Sequence, residues 1–184
     1  MEFITFDRPD DRYWPAALRL YHEAFPNGKP DRIIANSFAK GVGYGHVAVE
    51  GGEVVAMAFT GLLRQANALL IDYIAVRKAE RRRGWGARLV DEIKRQARAM
   101  GLDGLILEAE AGPEPENLGR IRFWERCGFT LTPYVHQYIW VPEPYRAMYL
   151  SFDPNKPLPA DGRELFRHIG AFHSLVFRSG KPKA

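Results

Sequence analysis

Cysteine is nearly missing from this 184-residue chain: Cys127 is the only one. A lone thiol cannot close an internal disulfide, and the paired CxxC spacings of a structural zinc site do not occur, so the fold must rest on its core alone. Such a cysteine content suggests a reducing compartment. Long apolar runs are also scarce. Stretches such as ALLI at 68–71 fall far short of the roughly 20 residues that span a bilayer. The opening MEFITFDRPDD has no basic segment ahead of a long apolar one, so it does not read as a signal peptide. No internal repeat or low-complexity block is visible. These absences together predict a soluble, cytoplasmic protein.

What is present is ordinary globular material. Hydrophobic residues make up 46% and charged residues 26%, which excludes disorder as a global description. A chain of this length can bury about 70% of its unfolded surface, enough for a self-sufficient core. The net charge is +4, from 26 Lys and Arg against 22 Asp and Glu. Between Arg77 and Arg83, five basic residues stand against Glu80 alone, so this one segment holds the whole excess. Nucleic-acid binders usually spread basic residues over a face that neutralises many phosphates. One short basic loop suits a local anion better.

Apolar spacing predicts the elements. Residues 2–6 read as a strand, Arg12–Phe25 as a helix, PNGKP (26–30) as a turn and Asp31–Ala39 as a second helix. The period then changes. His46–Glu50 and Glu53–Leu63 read as a hairpin turning at Gly51-Gly52, and Asn67–Val76 as a third strand of the meander. Gly84–Met100 is the clearest helix, with Leu89, Ile93, Ala97 and Met100 on one stripe and Gly101 ending it. A strand at 102–110 after that helix implies a parallel crossover. A helix follows through Arg126, then strands at Phe129–Trp140 and Arg146–Phe152. The prolines of 153–160 suggest a linker, and Asp161 with Glu164 resembles a capping box opening a last helix. The architecture expected is α/β with a mixed sheet.

The segment IDYIAVRKAERRRGWGARLVDEI (71–93) runs strand, basic glycine-containing loop, amphipathic helix. Unpaired N–H groups at a helix start, helped by the helix dipole, favour an anion, and glycines allow its close approach. A P-loop is excluded because GxxxxGK[ST] is absent, and GWGARL lacks the third glycine of GxGxxG. From spacing alone the loop is a pyrophosphate site, a solvated basic turn or a short nucleic-acid patch.

Arg81-Arg82-Arg83-Gly84-Trp85-Gly86 resembles the R/Q-x-x-G-x-G/A signature of the GNAT superfamily of acyl-CoA-dependent N-acyltransferases. The strand IDYIAV resembles that family's central strand, and NLGRIRFWERCGF (117–129) resembles its second signature, N-x-x-A-x-x-F-Y-E-x-x-G-F. The resemblance covers residues 1–152 as an acyltransferase domain, leaving 153–160 as a Pro-rich linker and 161–184 as a helical extension and tail. It implies a mostly antiparallel sheet flanked by helices, whose parallel central strands splay around acetyl-CoA or another acyl-CoA. The backbone of Ile74, Ala75 and Val76 would then bond the pantetheine arm. The loop Arg81, Arg82, Arg83, Gly84, Trp85, Gly86 and Ala87 would cradle the pyrophosphate, and Asn117, Phe123 and Trp124 would flank the cofactor. No metal is implied.

The chemistry so implied is acetyl transfer to a primary amine, which needs a base because an alkylammonium has a pKa of about 10. Asp72, two residues from Ile74 and so expected on its face, is one candidate, and Glu108, sharing a face with Glu110 on the next strand, is another. Where the family pattern has its proton-donating Tyr, this sequence has Trp124, whose indole is not a useful acid. Tyr134, Tyr138 and Cys127 are the candidate substitutes. Otherwise the thiolate leaves unassisted, or the chain binds acyl-CoA without turnover. His46 is expected to be structural, His168 and His173 to be surface or packing residues, and His136 to have a minor chance of facing the acceptor. Residues 26–45 and 131–148 would wall the acceptor, a small-molecule or peptide amine. The final helix would pack on its own domain or cap a homodimer partner.

Overall fold

A computed structural model describes residues 1–9 and 12–178. Among these residues seven strands form one sheet: β1 (Glu2–Phe6), β2 (Gly43–Glu50), β3 (Glu53–Leu63), β4 (Ala68–Val76), β5 (Gly104–Glu110), β6 (Thr130–Gln137) and β7 (Pro144–Ser151). Their order is β1-β2-β3-β4-β5-β7-β6; β4 and β5 pair in parallel and the other neighbours antiparallel. Among the described residues five α-helices flank it: α1 (Trp14–Ala24), α2 (Asp31–Ala39), α3 (Trp85–Ala99), α4 (Pro115–Arg126) and α5 (Gly162–Phe177). This is the mixed α/β fold expected, and none of the helices among the described residues is long and apolar enough to cross a membrane. The tail at 179–184 lies outside the described residues.

Each face of the sheet buries its own stripe. On one face α3 lays Trp85, Leu89, Ile93 and Ala97 against Leu69, Ile71, Leu105 and Leu107. At about 1.5–3 kcal/mol per fully buried aliphatic side chain, these contacts outweigh the many charges on the helix's other side. Met100 is 39% exposed, contrary to expectation, because the helix has already ended before it. On the opposite face α1 and α2 cover β2 and β3 through Tyr21, Ile34 and Phe38, while α5 buries Leu165, Ile169 and Phe172 beside Leu70 and Ile106. Asp161 caps α5 as expected, its Oδ1 accepting from the Arg163 N–H at 2.9 Å. The Pro-rich stretch before it is tied down, with Leu158 buried and its N–H donating to Ser151 Oγ.

Among the boundaries that differ from expectation, two have local reasons. α1 opens at Trp14, with proline in its first turn, instead of at Arg12. β6 stops at Gln137 instead of reaching Trp140, because the Gln137 Nε2 donates to the carbonyls of Val141 and Pro142 and so closes a turn. That turn delivers Tyr138 and Trp140 to the site described next.

Candidate active site

The parallel pairing of β4 and β5 runs only from Ala68↔Gly104 to Leu70↔Ile106. Beyond it, residues 71–76 and 107–110 diverge, leaving a wedge in the middle of the sheet. One cavity lies on each face beside that wedge.

The cavity on the α3 face, about 450 Å³, is lined by Ile74, Ala75 and Val76 of β4, by the loop Arg81, Arg82 and Gly84, and by the first turn of α3. Gly84 takes φ +80°, in the left-handed region, and a Cβ there would meet no atom within 4 Å. Backbone conformation therefore requires the glycine, and the space beside it is open. Arg82 also sits at φ +67°, a costly angle for a residue with a Cβ. This kinked loop leads into α3, whose opening N–H groups at Trp85, Gly86 and Ala87 have no acceptor within the helix. No side chain caps them, and no acidic residue sits in the first turn. Phe123 and Arg126 of α4 close the far wall.

The basic loop is less free than its sequence suggests. Arg77 pairs with Glu53 and Glu80, and Arg83 with Glu80 and Glu50. Arg81 and Arg82 line the cavity. The Trp85 side chain is buried in the core against Phe3, so what this residue offers the cavity is its N–H.

Asn117 and Trp124 do not line this cavity. Asn117 is buried, its Nδ2 donating to Glu114 and its Oδ1 accepting from Arg120. Trp124 is 8% exposed and packs edge-on against Phe123 and Phe129, so this ring serves the core.

The second cavity, about 600 Å³, lies on the other face, between β5, the 138–141 turn and α5. Glu108 projects into it. Its Oε2 accepts from the Tyr138 hydroxyl at 2.5 Å, and its Oε1 lies 3.9 Å from His173 Nε2. Burial first, then the Glu108 carboxylate, push the Tyr138 hydroxyl far above the usual phenol range. Lys29 reaches the same cavity from the turn after α1.

Asp72 is placed differently from expectation. A bulge shifts the β3–β4 register from Phe59↔Tyr73 to Thr60↔Ile71, so Asp72 is the extra residue. The bulge breaks the two-residue alternation. Ile74 belongs to the α3 face, whereas Asp72 joins Lys29 on the other, with Nζ to Oδ2 at 2.6 Å and side chains 10% and 12% exposed. Asp72 is thus paired with Lys29 on the face opposite Ile74. Next to it, burial and then Asp72 raise the Tyr73 hydroxyl to about 12.

Tyr134 is not at the cavity either. Its hydroxyl meets His136 Nδ1 at 3.2 Å, and its ring packs on Phe166 and under Arg163. His136 likewise stacks on Phe166, outside both cavities. His46 is structural as expected, bridging Thr5 and Thr60, and burial lowers it to about 4. Burial also raises the Cys127 thiol. His173, expected at the surface or in packing, was missed. It reaches Glu108 only because α5 folds back over the sheet, a long-range contact with no local sequence signal.

The sequence profile of the acetyltransferase (GNAT) family matches residues 12–129. No curated protein gives a significant match. Among solved structures, an aminoglycoside 6'-N-acetyltransferase from Enterococcus faecium superposes with a TM-score of 0.66 at 14% identity, over 84% of this chain and 98% of that one. A ribosomal-protein-alanine N-acetyltransferase from Brucella melitensis gives 0.64 at 20% identity, over 83% and 100%. A Bacillus anthracis protein described as a streptothricin acetyltransferase, in complex with acetyl coenzyme A, gives 0.52 at 23% identity over 61% of this chain. The match spans 64% of that protein's length. At these identities the likeness is one of fold.

Proposed function

The chain belongs to the acetyltransferase (GNAT) family, and on that premise we propose that it moves an acetyl group from acetyl-CoA to a primary amine by direct transfer in a ternary complex. The observation that carries this reading is the unpaired wedge between β4 and β5, with an open cradle of N–H groups on one face and a carboxylate on the other. Fold relatives crystallised with acetyl coenzyme A or coenzyme A support the cofactor. Relatives named for aminoglycosides and for ribosomal-protein alanine keep small-molecule and peptide amines in the class.

Acetyl-CoA would supply an activated thioester. The residues present fit it. N–H groups from Arg82 to Ala87 would hold the pyrophosphate, with Arg81 and Arg82 at the rim. Past Leu70 the β5-facing edge of β4 has no strand partner, so backbone groups of Ile74, Ala75 and Val76 are available to the pantetheine arm. An N–H there would stabilise the negative charge that develops on the carbonyl oxygen. Phe123 would flank the arm.

Glu108 is the base in this reading. It takes one proton from the bound ammonium, which frees the nitrogen lone pair to bond to the acetyl carbon; the carbon–sulfur electron pair then departs on sulfur, and the second proton lost by the nitrogen goes to solvent water. Tyr138 donates to Glu108 and so fixes its orientation. A thiol pKa of about 8.5 makes the thiolate a competent leaving group, so no donor is required where Trp124 stands.

Isothermal titration of acetyl-CoA and of free CoA tests the cradle. Saturable binding is expected, abolished in Gly84→Glu, which adds a negative charge at the anion site. Absence of binding by both ligands overturns the reading.

A further inference from the structure

The acceptor-side cavity offers two kinds of surface. Its lining holds one carboxylate, Glu108, with His173 Nε2 3.9 Å from it, and one lysine, Lys29, which is paired with Asp72 at 2.6 Å. Aromatic rings supply much of the remainder. Tyr138 stacks with Trp140 at 6.1 Å between centroids and meets Tyr145 edge-on at 5.6 Å. Trp140 is 79% exposed and Phe177 48% exposed, both on the cavity wall. Large rings left in water beside a carboxylate suggest an apolar ligand body that covers them.

This distribution selects among amines. One ammonium can sit against Glu108, close enough to the rings to gain cation–π attraction. A second ammonium would find no second carboxylate among the lining residues, where Glu108 is the one acid. We propose, resting on the transferase reading above, that the acceptor is a primary amine bearing a single positive charge on an apolar, aromatic-sized body, and that polycationic amines are discriminated against. Its specificity comes largely from residues beyond the segment that matches the family profile: Tyr138, Trp140 and Tyr145 from the β6–β7 region and Phe177 from α5.

The probes are 2-phenylethylamine and tryptamine against spermidine and kanamycin, with the full chain and saturating acetyl-CoA. The first readout is amine-dependent thiol release; the second is amine binding to the CoA-loaded protein by titration calorimetry. Aryl amines are expected to exceed the polycations in kcat/KM by about 100-fold. Phe177→Asp, which sets a second carboxylate on the cavity wall, should shift the spermidine-to-phenylethylamine ratio about tenfold toward spermidine. Selective aryl-amine binding without thiol release would overturn the transferase reading and keep the pocket assignment. Thiol release that favours spermidine or kanamycin would overturn the pocket assignment and keep the transferase. No aryl-amine binding at all also overturns it.

Discussion

Replacing Lys29 by methionine keeps most of the side-chain volume and removes its charge. In the folded protein its ammonium lies 2.6 Å from Asp72 Oδ2, with both side chains close to nine-tenths buried. The ammonium also rests 5.2 Å from the centre of the Phe172 ring. At an effective dielectric near 20, the attraction across the 2.6 Å ion pair is roughly 6 kcal/mol. Desolvation of two ions offsets most of it, so the pair as a whole contributes little net stability. Removing one partner is different, because Asp72 then keeps its desolvation cost without the attraction. The expected loss is about 3 kcal/mol or more. For a chain of this size that is a fall in Tm of roughly 6–12 °C. The double variant Lys29→Met/Asp72→Asn, neutral on both sides, should return to within about 1 kcal/mol of the parent. Calorimetric or urea unfolding at neutral pH reads all three. A single-variant cost below about 0.5 kcal/mol, or additive effects in the double, would show the pair to be solvated and would refute the account of Asp72 as the buried partner of Lys29.

Further outcomes follow from the same coordinates. Glu108→Gln should lower kcat by about 100-fold or more and alter the pH–rate profile, whereas Asp72→Asn should keep the wild-type profile; wild-type profiles in both would remove Glu108 as the base. His46, at about 4 in the folded state against 6.5 in the unfolded, stays neutral while the unfolded chain takes up a proton. Its contribution is therefore present above pH 6.5 and lost as pH falls towards 4, about 3 kcal/mol in all, and His46→Gln should flatten that part of the stability–pH curve. Gly61→Ala places a Cβ 2.3 Å from the Phe172 ring under α5 and should cost about 1–3 kcal/mol. Gly170→Ala, inside α5 with nothing within 4 Å, should gain about 0.5–1 kcal/mol; unfolding curves of the two should move in opposite directions.

Much of the fold was legible because its signals are local. The GWG turn before an amphipathic helix needs only neighbouring residues to be read: a positive φ at Gly84 and a 3.6-residue stripe from Leu89 to Ala97. Glycine pairs and proline clusters marked the hairpin and the boundaries in the same way, to within a few residues.

The acceptor side was legible only in part. Alternation along β4 placed Asp72 beside Ile74, but a bulge set by pairing with β3 sent it to the opposite face. Tyr134 and Tyr138 are indistinguishable as sequence, four residues apart on one predicted strand. Gln137 ends that strand early; both rings touch Phe166, but the Tyr134 hydroxyl meets His136 whereas the Tyr138 hydroxyl reaches Glu108. Lys29, Glu108 and His173 lie up to 144 positions apart, and nothing in the intervening sequence encodes their meeting. The sequence by itself therefore determined the strand–loop–helix cradle, because backbone conformation and helix periodicity act over a few residues. Only the tertiary structure decided which carboxylate faces the larger cavity and which rings surround it, because those depend on register, on a bulge and on where α5 returns to the sheet.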